Sequence, residues 1–250
     1  MSQQELLHQL DAIMQRIRRA CARCGRDPRE VRLLLATKTV PAERILFALQ
    51  AGQTLIGENK VQEIRDKFEA LQSIPHETHF IGHLQTNKIK DILKYDVRCI
   101  QSLDRLDLAE KLQQRLETER KQMDVLIQVN TSGEASKFGI TPERALALVQ
   151  QVAQLDRLHI KGLMTIGLFS AQLELVRPCF QLLKRLQQEV MQLNLPNVSM
   201  AELSMGMSGD LEVAIEEGAT IIRVGTAIFG QRIYSDSYYW NENVADDSAS

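Results

Sequence analysis

Eight short apolar runs, each set off by a stretch of helical periodicity, constrain this chain more than any other feature. They read "VRLLLATK" (31–38), "TLIGEN" (54–59), "THFIGH" (78–83), "VRCIQS" (97–102), "DVLIQVN" (124–130), "IKGLMTIG" (160–167), "VSMAELSMG" (198–206) and "TIIRVGTAIFG" (220–230). Helical patterns fill 41–51, 60–72, 86–94, 104–121, 141–155, 171–194 and 208–217 between them. One more, 3–24, precedes the first run. Strict strand–helix alternation implies parallel strands joined by crossovers. Eight units in 250 residues predict an α/β fold, a single (β/α)8 TIM-type barrel, whose usual length is about 250 residues. The N-terminal helix can cover the wall where a final helix would go. An open doubly wound sheet is the alternative, but it lacks a "GxGxxG" after the first run. Residues 1–240 read as one domain. The remaining "NENVADDSAS" (241–250) is acidic and polar, the composition of a flexible tail.

Composition removes several function classes. A net charge of −2 and a pI near 6.2 give no electrostatic case for a nucleic-acid partner. No run has the length of a membrane span, and the amphipathic N-terminus lacks the apolar core of a signal peptide. Four cysteines do not make a disulfide scaffold, so a reduced, cytoplasmic protein is expected. Cys21 and Cys24 in "CARC" end a helical pattern without redox context. His79 and His83 in "HFIGH" straddle a strand end rather than a helix turn, so no metal site is expected.

In a barrel of this kind the chemistry gathers where the strands exit. The exits here are Lys38, Asn59, His83, Asn130, Thr165 with Gly167, "SMGMSGD" (204–210) and "RVGT" (223–226). Two of them fit an anion. "SMGMSGD" leaves through two glycines into a helix expected to open at Ser208, and "RVGT" offers Gly225 for close backbone approach and the Thr226 hydroxyl. Barrels often hold phosphate in the loops after strands seven and eight. Closure brings strand eight beside strand one, so Lys38 approaches the corner of Ser204, Ser208, Gly225 and Thr226. There it is either a phosphate counter-charge or an imine-forming amine. Arg223, two residues before Gly225, faces the same side one layer deeper. It could reach a ring nitrogen, donating to it and disfavouring its protonation. A phosphorylated aldehyde such as pyridoxal phosphate would use all these parts. Glu58, Lys60, Lys88 and Lys137 read as solvated charges, and His83 as a loop residue.

The segments "LLLATKTV", "IGENKVQE", "HFIGHLQTNK", "SGEASKFGI", "GLMTIG", "LSMGMSGDLEVAIEEGAT" and "IRVGTAIFG" resemble the pyridoxal phosphate homeostasis proteins, single-domain relatives of the alanine racemase barrel. The likeness runs from residue 33 to 230. It implies that Lys38 carries the Schiff base, that Ser204, Ser208, Gly225 and Thr226 hold the phosphate region, and that Arg223 faces the pyridine nitrogen. Asn59 and Met164 would line the cofactor. Thr78 departs from the family, which often has an aromatic residue there.

The resemblance implies a non-catalytic binding protein that sets pyridoxal phosphate levels and passes the cofactor transiently to apo-enzymes; a monomer is expected. The alternative is an amino-acid racemase, with Lys38 serving one face of the substrate. Racemisation needs a group on each face. In alanine racemases a tyrosine from a second domain serves the other, and no such domain is expected here. Tyr234, Tyr238 and Tyr239 are expected to anchor the tail. A sugar-phosphate enzyme using Lys38 as an imine-forming catalyst is a third option.

Overall fold

The computed structural model describes residues 1–230. Residues 231–250, with the expected tail and its tyrosines, lie outside the described residues. Eight parallel strands close into one barrel in sequence order. They are β1 (Arg32–Ala36), β2 (Leu55–Glu58), β3 (Glu77–Phe80), β4 (Val97–Leu103), β5 (Met123–Gln128), β6 (Leu158–Met164), β7 (Val198–Ser204) and β8 (Ile221–Val224). The helices are α1 (Gln3–Arg23), α2 (Ala42–Gln50), α3 (Val61–Leu71), α4 (Ile89–Lys94), α5 (Leu106–Glu119), α6 (Pro142–Val152), α7 (Leu173–Gln192), α8 (Leu211–Glu216) and α9 (Thr226–Phe229).

Side-chain parity along a strand explains the layers. Leu33 and Leu35 of β1 join the large core shared with the helices, while Leu34 and Ala36 meet Leu55, Ile81 and Ile221 inside the barrel. Cys99, Leu126 and Met164 form a second inner cluster. The rest of the interior is polar, which directs attention to what those polar groups hold.

α1 closes the outer ring. Ser2 caps it reciprocally, its hydroxyl accepting from the Glu5 N–H and its own N–H donating to the Glu5 carboxylate. Leu6, Leu10, Ile13 and Ile17 fall on one face and are buried against α8, α2 and α9. Arg16 clamps Glu212 of α8 through two bonds of 2.7 and 2.8 Å.

Several expected boundaries differ. β1, β3 and β6 end at Ala36, Phe80 and Met164, so Lys38, His83 and Gly167 lie beyond the strands, with Lys38 in a turn. The run 220–230 is not one strand: β8 ends at Val224, and Thr226 begins the short α9. The helix expected from Ser208 starts at Leu211. Asp210 accepts from the Met207 N–H at 2.6 Å, so residues 207–210 close into a turn first.

Candidate functional site

The C-terminal mouth of the barrel is built from strand exits of unlike chemistry. Two residues beyond the end of β1, Lys38 stands in the turn that follows the strand, and it is buried. Asn59 follows β2, the neighbour of β1, and is also buried. Neither atom of its amide has a hydrogen-bond partner among the described residues. A buried amide left in that state is costly, and it fits a polar ligand better than a packing role. On the other side of β1 stands β8, with Leu34 paired to Arg223 and Leu35 to Val224. Gly225 lies so close to β1 that a Cβ there would sit 2.9 Å from the Ala36 carbonyl oxygen. Its bare backbone packs on the last residue of β1. Thr226 is exposed at the rim and Ser208 half-buried nearby in chain order after β7.

Arg223 is buried one layer below. Its Nη1 donates to Ser204 Oγ at 2.9 Å and its Nη2 to the Thr165 carbonyl at 2.8 Å. Burial pulls its pKa down to about 10, which leaves it protonated at neutral pH. Ser204 is thereby committed: its hydroxyl accepts from Arg223 and donates to Gln101 Oε1 at 2.6 Å. It sits opposite Ile221, at the start of β8, below the rim that carries Thr226. The structure therefore brings Ser204 to Arg223 and Gln101. The chain of bonds continues downward. Gln101 Nε2 meets His79 Nδ1 at 2.8 Å, His79 Nε2 lies 3.5 Å from Glu77, and Arg32 donates to Glu77 at 2.5 Å. Hydrogen bonding to His79, reinforced by Arg32, holds the Glu77 carboxyl down at about 2. This line ends in a cavity of about 750 Å³ at the opposite end of the barrel, lined by Arg32, Glu77, His79, Cys99, Asp124 and Glu202.

Met164 is buried in the inner cluster with Cys99 and Leu126, so it can supply only an apolar wall. Asn130 turns inward on its own loop, its amide donating to the Glu134 and Lys137 carbonyls. Lys137 tethers that loop to the Gly167 carbonyl at 2.8 Å. His83 stacks on Phe138 with ring centroids 4.3 Å apart. Among the described residues no group of three His, Cys, Asp or Glu side chains could hold a metal ion, and no helix is long and apolar enough to cross a membrane.

A second cluster was not expected from the sequence. Glu58, read as solvated, is buried. Its Oε1 accepts from the Thr37 hydroxyl at 2.6 Å and from Lys67 Nζ of α3 at 2.9 Å. Burial pushes the Glu58 carboxyl up, opposed by that ammonium and that hydroxyl. No motif spacing reveals the pair, because one member is on a strand and the other on the following helix.

Comparison with known proteins agrees with this fold. The family model for the alanine racemase N-terminal domain matches residues 8–233. The pyridoxal phosphate homeostasis protein of Aquifex aeolicus is 45% identical over 225 residues, 90% of this chain and 97% of the relative. PipY of Synechococcus elongatus, solved with PLP bound, superposes with a TM-score of 0.75 at 32% identity, covering 86% of this chain and all (100%) of that one. Alanine racemase of Clostridium difficile shares the fold, with a TM-score of 0.70 at 13% identity, over 93% of this chain but 57% of its own. On identity sustained over nearly the full length of its relatives, the chain belongs to the pyridoxal phosphate homeostasis protein family.

Proposed function

We propose that this protein binds pyridoxal phosphate at the C-terminal mouth of its barrel and contributes to the supply of that cofactor to apo-enzymes without turning over amino acids. One observation carries the reading. A buried lysine, a buried amide with no partner among the described residues, and a buried arginine belong to three neighbouring strands or the residues just after them, β1, β2 and β8. The family and the PLP-bound relative support the choice of ligand. In this reading Lys38 presents its amine to the aldehyde, and Asn59 hydrogen-bonds beside it. Arg223 turns a remaining N–H toward the ring nitrogen. Ser208, Gly225 and Thr226 take the phosphate, Met164 supplies wall, and Ser204 acts through Arg223. When bound, the cofactor supplies an aldehyde that bonds to amines and a ring that can accept electrons.

The non-catalytic part rests on what surrounds Lys38. A protonated Arg223 donates to the ring nitrogen without protonating it, which leaves the ring a weaker electron sink. Among the described residues the tyrosine is Tyr95, which precedes β4 at the opposite end and packs on Phe68 at 5.1 Å. It cannot serve the mouth as a second acid–base group.

The test begins with borohydride reduction of the loaded protein and peptide mass mapping. The pyridoxyl group is expected on Lys38, and Lys38→Ala is expected to abolish the visible absorbance. Cα–H exchange of L- and D-alanine in deuterated buffer should stay at the level of free cofactor. Modification of a different lysine overturns the site. Lys38-dependent exchange that saturates with one amino acid overturns the non-catalytic reading.

A further inference from the structure

The residues on both sides of Lys38 are held from outside the barrel. Thr37 bonds Glu58 through its hydroxyl, and its carbonyl accepts from both Lys67 Nζ and the Val40 N–H, each at 2.9 Å. The bond to Val40 closes a turn with Lys38 and Thr39 at its centre. Thr39 has φ 63, a left-handed conformation that a β-branched residue adopts only under constraint. The constraint is visible: the Thr39 N–H donates to Glu63 Oε2 at 3.1 Å, and Glu63 in turn pairs with Lys67 at 2.6 Å. Glu58 is also the peptide neighbour of Asn59. One cluster thus grips the chain beside both buried polar residues of the mouth.

A buried ion pair is a poor device for stability, since apolar residues of the same shape commonly do as well. What a buried pair with directional bonds supplies is a fixed place for the backbone it touches. We infer that Glu58, Lys67 and Glu63, acting through Thr37 and Thr39, are positioning residues that set the Lys38 amine for bonding to the aldehyde of pyridoxal phosphate. The inference rests on the reading of Lys38 above. In that step the neutral Lys38 nitrogen forms a double bond to the aldehyde carbon, the aldehyde oxygen leaves as water with the two amine hydrogens, and the phosphate and ring are unchanged. The cluster has no contact with phosphate or ring in this account, so its loss should affect the covalent step alone.

Pyridoxine phosphate separates the two steps, because it keeps ring and phosphate and carries an alcohol in place of the aldehyde. The variants are Thr37→Val, Glu63→Gln and the double change Glu58→Gln with Lys67→Met, which leaves no stranded buried charge. Misplacing a reacting group should slow growth of the visible band on mixing with pyridoxal phosphate on the order of tenfold or more. Pyridoxine phosphate should bind as it does to the parent, and Thr37→Ser, which keeps the hydroxyl, should restore the parent rate. Bands growing at the parent rate in all three variants overturn the inference. So does a parallel loss of affinity for both ligands, which marks a general structural role. Glu63→Gln alters a half-buried residue, so the question stays answerable if the double variant does not fold. Failure of the underlying reading looks different: the unaltered protein then shows no Lys38-dependent band.

Discussion

Asn59 illustrates how a single residue is set against its surroundings. Its backbone is pinned, since a Cβ on Gly82 would lie 2.0 Å from the Asn59 carbonyl oxygen, while its amide is buried with no partner among the described residues. Leucine has the same branching at Cγ without the polar atoms. Asn59→Leu should therefore stabilise the ligand-free protein by about 1–3 kcal/mol, the mutational cost of an uncompensated buried polar group. It should also weaken pyridoxal phosphate binding, so that the ligand protects the variant less than the parent. Urea unfolding with and without the cofactor checks both signs. At this scale the sequence was readable for residues whose chemistry clashes with their run. Arg223 stands in an apolar strand and Lys38 just past the end of another, and each is a cation that its apolar run does not explain. Glu58 was not readable, because its partner Lys67 lies on the next helix, and only the packing of α3 on β2 reveals that the carboxylate is enclosed.

Among elements, the eight strands and the principal helices were legible because their apolar periods change repeatedly from strand to helix. Their ends were not. "TIIRVGTAIFG" is apolar throughout, so no period marks the change at Gly225 from strand to the four-residue α9. The start of α8 was hidden for another reason: the Asp210 carboxylate bonds back to Met207 and consumes the residues expected to begin the helix. Gly206, in the same connection, has φ 90, and a Cβ there would come within 2.4 Å of the Ala214 Cβ. Gly206→Ala must therefore strain the backbone and push α8 from the wall. A loss of about 1–3 kcal/mol is expected, the range for a residue forced into a sparsely populated conformation. The shift in urea midpoint measures it. Because the β7–α8 connection also carries Ser208, cofactor affinity should fall as well.

Taken whole, the molecule closes its ring with its first helix. Burying Leu6, Leu10, Ile13 and Ile17 of α1 is worth roughly 1.5–3 kcal/mol per side chain, together comparable with the entire stability of an ordinary domain. Removing residues 1–24 should abolish the cooperative thermal transition, whereas Arg16→Ala, which breaks only the half-exposed clamp on Glu212, should lower it slightly. Differential scanning calorimetry distinguishes these outcomes. The whole-barrel topology was legible from alternation, but its polar axis was not, since Glu77, His79, Gln101, Ser204 and Arg223 come from four strands with no common spacing. That axis has an evolutionary consequence. Each of its bonds has one donor and one acceptor in line from Arg223 to Glu77, so a change at one position leaves its neighbour without a match. Single replacements along the axis should look intolerable one at a time, yet become acceptable in matched sets. Relatives that drift here will do so by coordinated exchange, and the identity of one inner residue will depend on another drawn from a distant part of the chain.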